Sequence, residues 1–110
     1  IHPERHSSEA NFLNNISSVY RMQGKLEESL AMSKKAAKIF RKTIGPECPE
    51  FARALCNIAG ALEDQGKYEK AMEKLEEALA IKRGAVGNEH EDVAHTLASL
   101  AVCKEKAGDG

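Results

Sequence analysis

Apolar residues recur along the chain with a helical period, in five separate runs. In one run Leu55, Ile58 and Leu62 follow the i, i+3, i+7 spacing of a single apolar stripe. Gly66 follows this run, and glycine commonly ends a helix because it adopts left-handed backbone angles without a Cβ penalty. The connections between runs are short, so consecutive helices should be antiparallel. The pattern predicts five helices, over about residues 7–22, 26–43, 49–64, 68–85 and 91–106.

The pattern also repeats with a period of 42 residues. Thirteen of the 42 positions in residues 9–50 hold the same amino acid as the position 42 residues later, where chance gives about two or three. Gly24, Gly66 and Gly108 align, which puts Gly108 in a turn position. The sequence therefore predicts a single array over residues 1–110. Its units cover about residues 7–48, 49–90 and 91–110, and the last unit holds only the first helix of its pair.

The units resemble the tetratricopeptide repeat, a helix-turn-helix unit with large apolar residues and small residues at the helix crossing. The corresponding residues in the second unit are Leu55, Ile58-Ala59, Leu62, Gly66-Lys67-Tyr68, Ala71 and Ala78. In the first unit they are Leu13, Ile16-Ser17, Tyr20, Gly24-Lys25-Leu26, Ser29 and Ala36. The period of 42 and the connections "GPECPE" and "GNEHED" are similar to the kinesin-light-chain type. The resemblance implies an all-α, right-handed superhelical solenoid of antiparallel helix pairs.

Charge and composition indicate which kinds of partner and which cellular compartment to expect. The formal net charge is −1, whereas a nucleic-acid surface needs a basic excess to neutralise phosphates. No apolar run approaches the roughly 20 residues of a membrane span. Three cysteines form no CxxC pair and no secretory signal precedes them, which indicates free thiols in a reducing compartment. These features predict a cytoplasmic protein that binds neither nucleic acid nor membrane.

Candidate catalytic and metal-binding motifs fail on geometry. His90 and His95 in "HEDVAH" invite comparison with a zinc-binding HExxH motif. That motif places its histidines at i and i+4, whereas these are at i and i+5, about 140° apart around a helix. Neither Cys56 nor Cys103 has a histidine base beside it in sequence, and no phosphate loop or nucleophile elbow is present. The sequence predicts no enzyme activity, no cofactor and no metal site.

In the resembling family, the exposed stripe of each first helix lines a concave groove that captures peptides. Here the groove residues are predicted to be Asn11, Asn14, Asn15, Ser18, Met22, Arg53, Cys56, Asn57, Gly60, Asp64, His95 and Ser99. The family uses asparagines at the positions of Asn15 and Asn57, since an amide both donates to and accepts from a peptide backbone. A small residue such as Gly60 lets a backbone approach closely. The basic residues of a carboxylate clamp are absent from the corresponding positions.

The sequence thus predicts a non-catalytic interaction module, an adaptor or scaffold that binds a peptide segment of a protein partner. The alternative is a structural spacer or oligomerisation segment of a larger motor-adaptor or signalling protein, with no peptide ligand of its own. Mutation of Asn15 and Asn57 would discriminate between the two. Groove charges are mixed and leave the charge of the ligand open. Open end faces of the array predict end-to-end self-association.

Overall fold

Five helices make up nearly all of the chain that the structure describes. The computed structural model describes residues 3–109, and the side chains of residues 8–108. No strand occurs between residues 3 and 109, so the all-α prediction is confirmed. The helices are α1 (Pro3–Met22), α2 (Leu26–Thr43), α3 (Pro49–Asp64), α4 (Tyr68–Val86) and α5 (Glu91–Asp109).

The two copies of the Gln-Gly-Lys turn have the same backbone geometry. Gly24 and Gly66 have φ angles of 78° and 79°, in the left-handed region that favours glycine. In each turn the amide of the following lysine donates to the carbonyl five residues earlier, at 2.8 Å. This bond satisfies a carbonyl that the end of the helix would otherwise leave unpaired. Each turn therefore reverses the chain into an antiparallel helix.

Helices that follow one another along the chain pack against each other, and α1 also packs against α3. The result is an elongated stack of 48 × 33 × 18 Å. Its buried apolar residues form a continuous layer between adjacent helices, with Leu13, Phe40, Leu55 and Leu75 among them. The architecture is that of a helical-repeat solenoid, in which neighbouring units rather than a central core bury the apolar faces.

Small residues bring the two helices of each unit close together where they cross. In the first unit Ser17 Oγ donates to the carbonyl of Ser29, and Ser29 Oγ donates to the carbonyl of Ser17, both at 2.9 Å. The second unit has Ala59 and Ala71 at the corresponding positions, both fully buried. The duplicated crossing therefore tolerates either a hydrogen-bonded or an apolar pair, because both pairs are small.

The prediction that Gly108 forms a third turn is wrong. α5 continues through Gly108 to Asp109, and the φ of Gly108 is not positive. Glycine permits the left-handed angles of the first two turns but does not require them, so a glycine in phase need not end a helix.

Candidate functional site

Two cavities lie side by side on the surface formed by α1, α3 and α5, and together they are called the candidate groove. The first cavity lies between α1 and α3 and has a volume of about 380 Å³. The second lies between α3 and α5 and has a similar volume of about 380 Å³. Arg21 contributes to the walls of both. The candidate groove is thus one surface, divided by an arginine side chain.

Eight of the predicted groove residues line these cavities. The first cavity includes Ser18, Met22, Asn57 and Asp64. The second includes Cys56, Gly60, His95 and Ser99. Their helical spacing brings them together because α1, α3 and α5 lie side by side and present equivalent positions of the repeat to one surface. Hydroxyl, amide and apolar groups alternate there, which suits hydrogen bonding to a peptide backbone and packing of its side chains.

Asn14 does not belong to the exposed groove, and its prediction as a groove residue is corrected. Only 2% of its surface is exposed, because α3 packs over this side of α1. Its Oδ1 accepts a hydrogen bond from Asn57 Nδ2 at 3.3 Å. Its own Nδ2 has no hydrogen-bond partner within the described part of the chain. Asn14 therefore positions Asn57 and cannot contact a ligand without movement of α3.

The remaining predicted residues lie at the margins of the candidate groove. Asn11 accepts a hydrogen bond from the Arg53 guanidinium, which joins α1 to α3. Asn15 is exposed on α1 and lines neither cavity. Although Asn15 and Asn57 are equivalent in the repeat, only Asn57 has the preceding unit beside it. The two asparagines therefore have different surroundings.

Arg21 is held in the middle of the candidate groove by Asp64. Its Nε donates to Asp64 Oδ2 at 2.7 Å, and its Nη2 lies 3.4 Å from Asp64 Oδ1. The hydrogen bond that Arg21 donates to Asp64 raises the pKa of Arg21 further above its ordinary value, so the guanidinium stays charged. The guanidinium also lies against Gly60, where an added Cβ would be only 2.6 Å from Arg21 Cζ. The space that Gly60 was predicted to leave for a ligand is therefore filled by Arg21.

Glu63 and Cys103 form a second polar contact at the candidate groove. The Cys103 thiol is fully buried and donates to Glu63 Oε1 at 3.1 Å. Burial, with the hydrogen bond that the thiol donates to Glu63, raises the pKa of the thiol to about 12. The thiol therefore stays protonated at neutral pH and is not a nucleophile. Its contribution is to hold the carboxylate of Glu63 against the second cavity.

His90 lies at the entry of α5 and His95 on its surface, as a structural role predicts. His90 precedes α5, and its Nδ1 accepts a hydrogen bond from the backbone amide of Asp92 at 3.0 Å. His95 is exposed and lines the second cavity. Within residues 3–109 no group of three or more histidine, cysteine or acidic side chains is placed to hold a metal ion. The HExxH-like spacing therefore has no counterpart in the geometry.

The contacts of Arg21 were not predicted from the sequence. Arg21 and Asp64 lie 43 positions apart, one period plus one residue, as do Asn14 and Asn57. Opposite charges at this offset are the signal that could have identified the pair. No periodic signal marks the Glu63–Cys103 contact, which spans 40 positions.

Comparison with known proteins gives a family match. A family model described as Tetratricopeptide repeat matches residues 8–84 and, in a second overlapping alignment, residues 50–109. A search of the curated proteins finds none that matches this chain. None of the helices in residues 3–109 combines the length and apolar composition that a membrane crossing requires. The resemblance drawn from the turns and crossings is confirmed over nearly the whole chain.

Proposed function

The chain belongs to the tetratricopeptide repeat family, and from this membership we propose that it is a non-catalytic adaptor or scaffold module that binds a peptide segment of a partner in the candidate groove. Repeats of this family mediate protein–protein interaction. The observation that carries the finer proposal is the convergence of eight predicted groove residues on two adjoining cavities. Asn57 is the main peptide-binding residue of the proposal, because it is half-buried and already oriented by Asn14.

The composition supports a protein partner in a reducing compartment. A net charge of −1 favours a protein over a nucleic acid as the partner. Cys48, Cys56 and Cys103 are free thiols, which is consistent with the cytoplasm. The proposal accordingly includes a cytoplasmic location and no cofactor.

A phage-displayed library of random 12-residue peptides tests the proposal. Selected peptides are synthesised and titrated into isotope-labelled protein, and amide chemical shifts are followed by NMR. The proposal expects shifts at Ser18, Asn57 and Ser99, and weaker binding by Asn57→Ala. Lys35→Ala is the matched control, because Lys35 is exposed on α2 away from both cavities. Peptides that bind but shift only residues of α2 and α4 would refute the groove assignment.

A second proposal is self-association through the end faces of the array. Phe12 and Val19 of α1 are 64% and 51% exposed. Their equivalents in α3, Ala54 and Ala61, are fully buried. The third-unit equivalent of Phe12 is Thr96, whose hydroxyl accepts a hydrogen bond from a lysine of α4 at 3.2 Å. In α3 and α5 the position equivalent to Phe12 therefore faces the preceding helix. In α1 the apolar side chain at this position is exposed.

The opposite end shows the same feature. Leu97 of α5 is 42% exposed, whereas its equivalents Leu13 and Leu55 are 8% and 3% exposed. Light scattering after size-exclusion chromatography, over a range of concentrations, measures association. Phe12→Glu and Leu97→Glu should each reduce the mean mass at high concentration. A concentration-independent monomer mass for the unmodified protein would exclude this second proposal.

A further inference from the structure

The second cavity contains a carboxylate, that of Glu63, which forms no ion pair with a basic side chain of residues 8–108; Arg21, whose pKa Glu63 helps to raise, lines the same cavity but is paired with Asp64. Glu63 lines this cavity, and Oε1 accepts its hydrogen bond from the thiol of Cys103. Between residues 8 and 108, no lysine, arginine or histidine nitrogen lies within 4.0 Å of the Glu63 carboxylate. A thiol that stays neutral orients the carboxylate without cancelling its charge. Glu63 therefore lies at the cavity wall with a neutral hydrogen-bond donor as its partner.

The nearby cations are already engaged elsewhere. Arg21 is paired with Asp64, so its charge is largely compensated within 3 Å. Lys106, one turn beyond Cys103, has its ammonium 5.8 Å from the centre of the Tyr68 ring, where a cation–π contact holds it. Glu105 is exposed at the position of α5 that is equivalent to Glu63, and it adds a further negative charge. Around this end of the candidate groove the carboxylates of Glu63, Asp64 and Glu105 outnumber the cations of Arg21 and Lys106.

The walls of the cavity suit a long aliphatic side chain with a polar tip. Leu75, Ala98 and Val102 contribute apolar surface. Ser99 and His95 contribute polar groups to the same lining. A lysine or arginine packs its methylene groups on apolar surface while its charged end reaches an acceptor. An acidic side chain would instead meet Glu63 and be repelled by it.

We propose that the second cavity recognises a basic side chain of the partner peptide, with Glu63 as its counter-ion. The inference rests on the proposed function and adds the charge of the ligand at one position. It assigns a role to one of the mixed charges of the candidate groove, because Arg21 pairs with Asp64 whereas Glu63 forms no ion pair within residues 8–108.

Three synthetic peptides test the charge preference. Each is an acetylated and amidated heptapeptide of alanine, serine and asparagine whose central residue is lysine, norleucine or glutamate. NMR titration should show the lysine peptide binding up to about fivefold more tightly than the norleucine peptide, the most that one partly screened ion pair contributes. The largest shifts should fall on Cys56 and Ser99. The glutamate peptide should bind most weakly.

Two glutamate variants separate local recognition from net charge. Glu63→Gln keeps an acceptor for the Cys103 thiol and should abolish the preference for lysine over norleucine. Glu77→Gln makes the same change in net charge on the exposed face of α4 and should leave the preference intact. An equal loss of preference in both variants would overturn the assignment to Glu63.

The remaining outcomes distinguish failure of this inference from failure of the proposed function. If all three peptides shift residues of the candidate groove equally, the charge preference is refuted and peptide binding stands. If the glutamate peptide binds most tightly, the sign of the proposed potential is wrong. If no peptide shifts any residue of either cavity, while circular dichroism shows folded protein, both proposals fail.

Discussion

Replacing Gly60 by alanine adds one methyl group at the point where α1 and α3 are joined across the candidate groove. Gly60 lies inside α3 and its φ is not positive, so alanine fits the backbone. In a helix interior alanine is more favourable than glycine by about 1 kcal/mol. From local propensity alone, Gly60→Ala should therefore stabilise the protein by that amount.

The tertiary structure opposes this gain. The new Cβ would lie 2.6 Å from Arg21 Cζ, so the guanidinium must shift, and we expect this shift to break its hydrogen bonds to Asp64. The side chains of Arg21 and Asp64 are 42% and 40% exposed, and a pair exposed to this degree contributes about 0.5–1 kcal/mol. Loss of the pair offsets the gain in propensity. Gly60→Ala alone should leave the free energy of unfolding almost unchanged.

A double-mutant cycle with Arg21→Ala separates the two effects. Without the guanidinium, Gly60→Ala should stabilise the protein by about 1 kcal/mol. Urea unfolding followed by circular dichroism at 222 nm measures the four free energies, and the difference is the coupling energy. The coupling should shrink in 1 M NaCl, because salt screens the exposed pair. If Gly60→Ala stabilises both backgrounds equally, Arg21 does not occupy the space above Gly60, and the proposed contact of the Arg21–Asp64 pair with Gly60 is refuted.

Three further predictions concern the turns, the buried thiol and the helix crossing. Gly66→Ala should destabilise the protein by about 1 kcal/mol, because the φ of Gly66 is 79°. Gly84→Ala, at a helical position with open space around it, should stabilise the protein by a similar amount. Equal effects of the two variants in urea unfolding would contradict this. The Cys103 thiol has its pKa raised from 9.0 to about 12, so its contribution to stability is complete below pH 9 and is lost between pH 9 and 12. Cys103→Ser should flatten the fall in stability over that window, and an unchanged slope would refute it. Ser17→Ala and Ser29→Ala should each cost about 1 kcal/mol of unfolding free energy; a wild-type urea midpoint in both variants would show that the crossing needs no hydrogen bonds.

The fold could be predicted because its determinants are local and duplicated. The apolar stripe through Leu55 and Ile58 sets a helix, and the glycine of each turn sets where it reverses. The period of 42 residues then gives neighbouring units the same pattern of helices and turns, so the structure expected for one unit is also expected for the next. The prediction failed at Gly108 because glycine permits a positive φ without requiring it, and α5 remains helical there.

The candidate site was predictable only in outline. Helical spacing identified the surface that carries Ser18, Asn57 and Ser99, since spacing depends on the backbone alone. It did not reveal that Asn14 is covered, because burial depends on how closely α3 approaches α1. It did not reveal that Arg21 fills the space above Gly60, because that contact joins side chains of two units.

The sequence by itself determined the helices, their turns and the stacking of the units, since each follows from residues near one another or one period apart. Only the tertiary structure decided which charges of the candidate groove are compensated. Arg21 reaches Asp64 and Lys106 reaches Tyr68, whereas Glu63 contacts a neutral thiol. Charges along a sequence can be counted, but their pairing depends on distances of 3–6 Å between helices, and those distances exist only in the folded chain.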